Sequence, residues 1–160
     1  MSERFTHIDE TGAARMVDVS AKEVSARTAS ACGRVDVSAD VVRLLREGNL
    51  PKGDALAVAR IAGIQAAKRT PDLVPLCHPI AIHGVDIDVA VHDDHVSIAA
   101  SVVTADRTGV EMEALTVVSV AALALVDMVK AVDPAAVISD IKVLEKTGGK
   151  TGYWARPEGR

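Results

Sequence analysis

Between Ala55 and Ala67 the only strongly polar side chains are Arg60 and Gln65. A helix drawn over these residues is apolar almost all round, so it has to be covered on several sides. Asp54 stands at the N-cap position, Lys68-Arg69 place cations at the negative end of the helix dipole, and Thr70-Pro71 stops the helix. Pro75 and Pro79 then bracket Leu76-Cys77-His78. Proline fixes φ on both flanks, so a thiol and an imidazole are presented on a stiff loop joined to a buried helix.

A second apolar run, Ala114 to Val126, is interrupted only by Thr116 and Ser119. It is shorter than the roughly 20 residues a membrane helix needs, and Glu111, Glu113 and Asp127 close its ends, so it reads as a buried helix. The material available to cover both helices is aliphatic, because the 160 residues include one Phe, one Tyr and one Trp. Small side chains permit close helix packing but bury less area each, and further burial between subunits is expected. With 49% hydrophobic residues the chain suits one folded domain, and a net charge of −4 argues against a nonspecific nucleic-acid binder. Cys32 and Cys77 form no Cys-x-x-Cys pair and no basic-then-apolar segment opens the sequence, which points to free thiols in a reducing cytoplasm and to no membrane partner.

Residues 1–15 read as a polar arm, 16–152 as a single domain and 153–160 as a tail that frays. Met16 to Ser20 suggests a short strand and Ser25 to Val37 a longer one, with a bulge at Gly33. Ser38 caps a short helix to about Arg46, and the helix after Asp54 follows. Val85, Ile87, Val89 and Val91 alternate with polar or small residues, His92-Asp-Asp-His95 turns the chain, and Val96, Ile98, Ala100 and Val102 return it, which makes a hairpin. A long helix from about Val110 to Val132 is broken by Asp133-Pro134, a last strand covers Ala136 to Leu144, and a flexible Gly-rich segment ends the domain. Strand, two helices, two strands, helix, strand is the order of a ferredoxin-like α+β sandwich, with four antiparallel strands under helices.

The candidate chemistry lies at the two ends of the long helix and on the Pro-bracketed loop. Glu111 and Glu113 suit a helix N-terminus whatever else they do. Asp127 and Lys130 stand one turn apart, either as an exposed ion pair or, on a largely covered helix, as a partly buried acid–base pair. Glu113 and Asp127 are 14 residues apart, roughly 21 Å along a helix axis, so a compact site using both must lie between subunits. Adjacent Cys77 and His78 point opposite ways on an extended loop, which disfavours a zinc site and a Cys–His dyad; His78 is either a packed loop histidine or a substrate contact and proton shuttle. Arg27, Lys52, Lys68, Arg69, Lys130, Lys146 and Lys150, with Gly53 and Gly148-Gly149, suit a small polyphosphate, although no Walker or dinucleotide fingerprint is present.

Seven strings in register carry a resemblance: Met16-Val-Asp-Val-Ser20, Lys52-Gly-Asp54, Ala59 to Thr70, Leu76-Cys-His-Pro79, Gly109 to Thr116, Asp127-Met-Val-Lys-Ala131 and Lys146-Thr-Gly-Gly-Lys150. From about Thr6 to Gly152 the chain closely resembles the molybdenum cofactor biosynthesis protein C family of cyclic pyranopterin monophosphate synthases. The resemblance implies a ferredoxin-like subunit in a homohexamer, a trimer of dimers, with active sites at dimer interfaces. It implies a lyase acting on the cyclised GTP derivative 3′,8-cyclo-7,8-dihydroguanosine 5′-triphosphate, with release of pyrophosphate. By motif, Asp127 matches the catalytic aspartate and Lys130 its partner. Leu76, Cys77, His78, Met112 and Glu113 match the substrate-contacting segments, with Glu111 beside them, and Lys52 and Lys146 match further site lysines. Lys146 and Lys150, with Arg27 or Lys68, are candidates for the phosphates. No cofactor is required on this reading, beyond Mg²⁺ that a triphosphate could bring. A noncatalytic nucleotide-binding regulator on the same fold is the rival, and a purely structural oligomer stands third.

Overall fold

The computed structural model describes residues 7–159, so the first six residues of the expected arm lie outside the described residues. Strand β1 (Ser25–Asp36) leads to helices α1 (Ala39–Glu47), α2 (Ala55–Ala67) and the single turn α3 (Thr70–Leu73). The hairpin β2 (Gly84–Val91) and β3 (His95–Asp106) follows, then α4 (Glu111–Val129), β4 (Val137–Thr147) and the two-residue β5 (Trp154–Ala155). The sheet runs β2-β3-β1-β4-β5, and every neighbouring pair is antiparallel. Its first four strands have the order of a ferredoxin-like sandwich, as the element sequence predicts.

Local chemistry explains the boundaries. Ser38 Oγ accepts from the Val41 amide, Gly48 closes α1 in the left-handed region at φ 68°, and Asp54 Oδ1 accepts from the Ala57 amide at 3.0 Å to cap α2. Helix α4 lies against β1, β3 and β4 on one side and against α2 on another, so Val117, Val118, Ala121, Ala122 and Leu125 are fully buried. It is the described helix whose length and composition would suit a membrane crossing; here the same apolar surface is the core of the sandwich. Gly63 is where α2 comes closest: a Cβ there would stand 3.2 Å from the Val117 carbonyl oxygen and 2.7 Å from Ile87 Cδ1.

Three expectations change. Met16 to Val19 pairs with no strand; it is an extended strap running over the end of the sandwich. The bulge expected at Gly33 lies opposite it, for β1 pairs Cys32 with Lys142 and Arg34 with Ser139, which leaves the extra residue on β4. The tail does not fray at its start: Gly148, Gly149 and Gly152, all at positive φ, turn the chain back, and Trp154 pairs with Lys146 as a fifth strand. Arg156 fastens it, donating from its amide to the Leu144 carbonyl at 2.7 Å and from Nε to the Val143 carbonyl at 2.6 Å.

Candidate active site

The C-terminal end of α4 carries a carboxylate held by two lysines. Lys130 Nζ stands 2.7 Å from Asp127 Oδ1, one turn along the helix. From the link before α2, Lys52 Nζ reaches Asp127 Oδ2 at 3.2 Å and donates to the Asp127 carbonyl oxygen at 2.8 Å. Lys130 first, then Lys52, holds the Asp127 carboxyl below its ordinary value. Of the two readings of this pair, the exposed ion pair describes the single chain: the side chains of Asp127 and Lys130 are 56% and 58% exposed. Met128 and Val129 between them are buried, so this turn is covered on its inner side, and Asp127 and Lys130 stand on its outward face, a distinction that the apolar run before them does not reveal.

At the opposite end of α4 a cavity of about 350 Å³ gathers Leu76, Cys77 and His78 from the Pro-bracketed loop with Glu111, Met112 and Glu113 from the first helical turn. Glu113 is 3% exposed, and burial, with the Glu111 charge added, pushes its carboxyl above the ordinary 4.5. Burial likewise raises the Cys77 thiol, and the nearby Glu113 carboxylate raises it further, so this sulfur is a poor thiolate. Lys146 Nζ donates to Glu111 Oε1 at 2.5 Å and ties β4 to the cavity rim. Glu111 folds back over Gly109, where any Cβ would collide with its carboxylate, while the N-cap of α4, Val110, has no side-chain capping bond.

The remaining wall is the strap. Val17, Val19 and Lys22 line the cavity, joined by Thr108 and by His7 from a tight turn in which Asp9 Oδ1 accepts from the Thr11 and Ala13 amides. His78 Nε2 lies 2.6 Å from the Val17 carbonyl oxygen. The sequence reading missed Lys22 and the strap's part in the site, although its first five residues belong to one of the family strings. Period alone made them a strand, and nothing in them shows that they fold over the helix end.

Arg27 and Lys150 line a second hollow of about 550 Å³, with Lys22 on the boundary between the two. Arg27 Nε donates to the Asp106 carbonyl oxygen at 2.9 Å, and Gly149 packs so closely on the guanidinium that a Cβ would clash with it. Lys68 is placed apart: it is the exposed C-cap of α2 and lines neither hollow. Among the described residues no group of three or more His, Cys, Asp and Glu could hold a metal ion. The protomer therefore keeps two stations, a carboxylate between lysines and a half-enclosed acidic and imidazole cavity, separated by most of the length of α4.

The MoaC family profile matches residues 16–149. The chain belongs to the MoaC family. A Streptomyces avermitilis protein named cyclic pyranopterin monophosphate synthase is 69% identical over 154 residues, covering 96% of this chain and 91% of the relative. One of the same name from Streptomyces coelicolor is 68% identical with the same coverage. Cyclic pyranopterin monophosphate synthase 2 of Mycobacterium tuberculosis is 59% identical over 155 residues, 97% of this chain and 93% of that one. The matched span holds every residue of the Lys52–Asp127–Lys130 group and every residue lining the cavity except His7.

Proposed function

We propose that this chain is a cyclic pyranopterin monophosphate synthase of molybdenum cofactor biosynthesis. It converts 3′,8-cyclo-7,8-dihydroguanosine 5′-triphosphate to cyclic pyranopterin monophosphate and releases pyrophosphate, which makes it a lyase. The observation that carries the proposal is the Lys52–Asp127–Lys130 group: two ammonium groups on one carboxylate, inside the span from residue 16 to residue 149 that matches the family profile. Rebuilding a purine and ribose into a pyranopterin moves protons between ring nitrogens and sugar oxygens, and paired lysines beside an ionised aspartate supply donors and acceptors for that traffic. Closing the cyclic phosphate and expelling pyrophosphate develops negative charge, which Lys52 and Lys130, with Lys146, Arg27 and Lys150, stabilise.

The roughly 21 Å between Glu113 and Asp127 requires a second copy to bring the stations together. Exposed Val58 and Ile61 on α2 and Leu123 on α4 supply apolar surface for such an association, 41%, 58% and 61% exposed in the single chain. The proposed assembly is a cytoplasmic homohexamer built as a trimer of dimers, in which burial of the Asp127 group between subunits also desolvates its lysines. Lys68, remote in one chain, is proposed to meet the substrate from the partner. No cofactor is required on this reading; Mg²⁺ would enter only with the triphosphate.

The test is purified protein given the cyclic nucleotide, with pyrophosphate and an oxidisable, fluorescent pterin as products. Turnover is expected, and Lys130→Ala, at an exposed position, should abolish it while leaving the fold intact. Saturable binding of the nucleotide without turnover would instead identify a nucleotide-binding regulator.

A further inference from the structure

A carbonyl oxygen only accepts, so the 2.6 Å contact between His78 Nε2 and the Val17 oxygen requires the proton on Nε2. In the neutral ring Nδ1 is then a bare acceptor, on a residue that lines the cavity. Among the described residues two hydrogen bonds fasten residues 16–24 to the folded body: this one, and Arg107 Nε donating to the Lys22 carbonyl at 3.0 Å. Arg107 is itself set by its own amide, which donates to Asp106 Oδ1 at 2.7 Å at the end of β3. Asp18 follows Val17 on the strap. The Ser20 amide and hydroxyl chiefly hold its carboxyl below the ordinary range, and charge on His78 contributes as well, so the two groups lie within electrostatic reach.

We propose that the strap is a working part of the site: the Val17 carbonyl fixes His78 in the Nε2–H tautomer, Nδ1 accepts a substrate proton, and Arg107 is the positioning residue that holds the strap in place. The inference rests on the function proposed above and assigns His78 its direction of action. In the step, an N–H or O–H of the substrate gives its proton to Nδ1 and keeps the bonding pair. The resulting imidazolium still donates from Nε2 to Val17 and returns the proton from Nδ1 to a substrate atom or to water. The ring needs no rotation between its two states, because the Val17 bond is satisfied in both.

Two measurements on the full-length protein test this. The first is ¹⁵N NMR of histidine-labelled protein without substrate, with the His78 signals among the five histidines identified by their loss in His78→Gln. The wild type should show a protonated Nε2 and a bare Nδ1, Arg107→Ala should show tautomer exchange, and Arg107→Lys, which can still donate to Lys22, should restore the single form. The second is steady-state kinetics. Arg107→Ala should lower kcat about ten- to hundredfold with KM changed far less. His78→Gln keeps a donor for Val17 but has no Nδ1, and should lower kcat by about 10²–10⁴. A wild-type ring protonated on Nδ1, near-normal turnover by His78→Gln, or an Arg107→Ala protein unchanged in both tautomer and kcat would overturn the proposal. A wild-type protein with the Nε2–H ring and no turnover would instead defeat the function it rests on, so the two failures are distinct.

Discussion

At the scale of single residues, the two carboxyls at the ends of α4 are perturbed in opposite directions, and each perturbation has its own consequence. Lys130 and Lys52 hold the Asp127 carboxyl below the ordinary carboxylate range. Asp127→Asn should cut kcat at least about a hundredfold, while its exposed position limits the stability change to about 0.5 kcal/mol by urea unfolding. Glu113 is the reverse case. Its folded-state value lies above 4.5, so the folded chain binds this proton more tightly than the unfolded chain, and ionising it penalises folding as pH rises through that window. Glu113→Gln should therefore raise Tm by about 2–4 °C at alkaline pH, with the gain closing as pH falls below the ordinary carboxyl value, and should lose activity. A gain independent of pH would show that burial of this charge is not the cause. The identities of Asp127, Lys130, Lys52, His78 and Glu113 were legible as strings, and the Asp127–Lys130 pair as helical spacing. The reach of Lys52 across 75 residues of chain to the same carboxylate was not, since no local pattern encodes it.

At the scale of elements, the sequence was most informative where hydrophobic period and capping chemistry agree. Asp54 and Ser38 cap their helices as read, the alternation from Val85 to Val91 lies in β2, and the apolar run from Ala114 to Val126 lies inside α4. Elements held by tertiary contact escaped: β5 is two residues long, α3 is one turn after Arg69, and the strap is held by bonds to His78 and Arg107 that its own residues do not announce. Packing of α2 on α4 depends on a position that composition alone does not mark. Gly63→Ala gains up to about 1 kcal/mol of helix propensity. Its new methyl group, however, meets Ile87 Cδ1 at 2.7 Å and the unyielding Val117 backbone oxygen at 3.2 Å. Overpacking of this kind costs about 1–3 kcal/mol, so net destabilisation is expected in urea unfolding. A more stable Gly63→Ala protein would contradict the close helix contact.

At the scale of the whole molecule, the scarcity of aromatic residues leaves an aliphatic core of modest area, and the exposed apolar side chains of α2 and α4 are what the proposed assembly would cover. The element order was enough to give the ferredoxin-like sheet, because βα and ββ units connect in few ways. The helix length was enough to show that Glu113 and Asp127 cannot meet within one chain. Which apolar faces stay uncovered was not legible, since exposed apolar residues emerge only once the fold determines what its elements fail to cover. The proposed assembly joins the Asp127 group of one copy to the His78 cavity of another, so inactive copies can repair each other. Asp127→Asn and His78→Gln chains, each inactive alone, should when co-expressed and purified as mixed assemblies regain about a quarter of wild-type activity, because random pairing leaves that share of shared sites with both intact residues. Mixed assemblies no more active than either variant alone would contradict a site built from two chains.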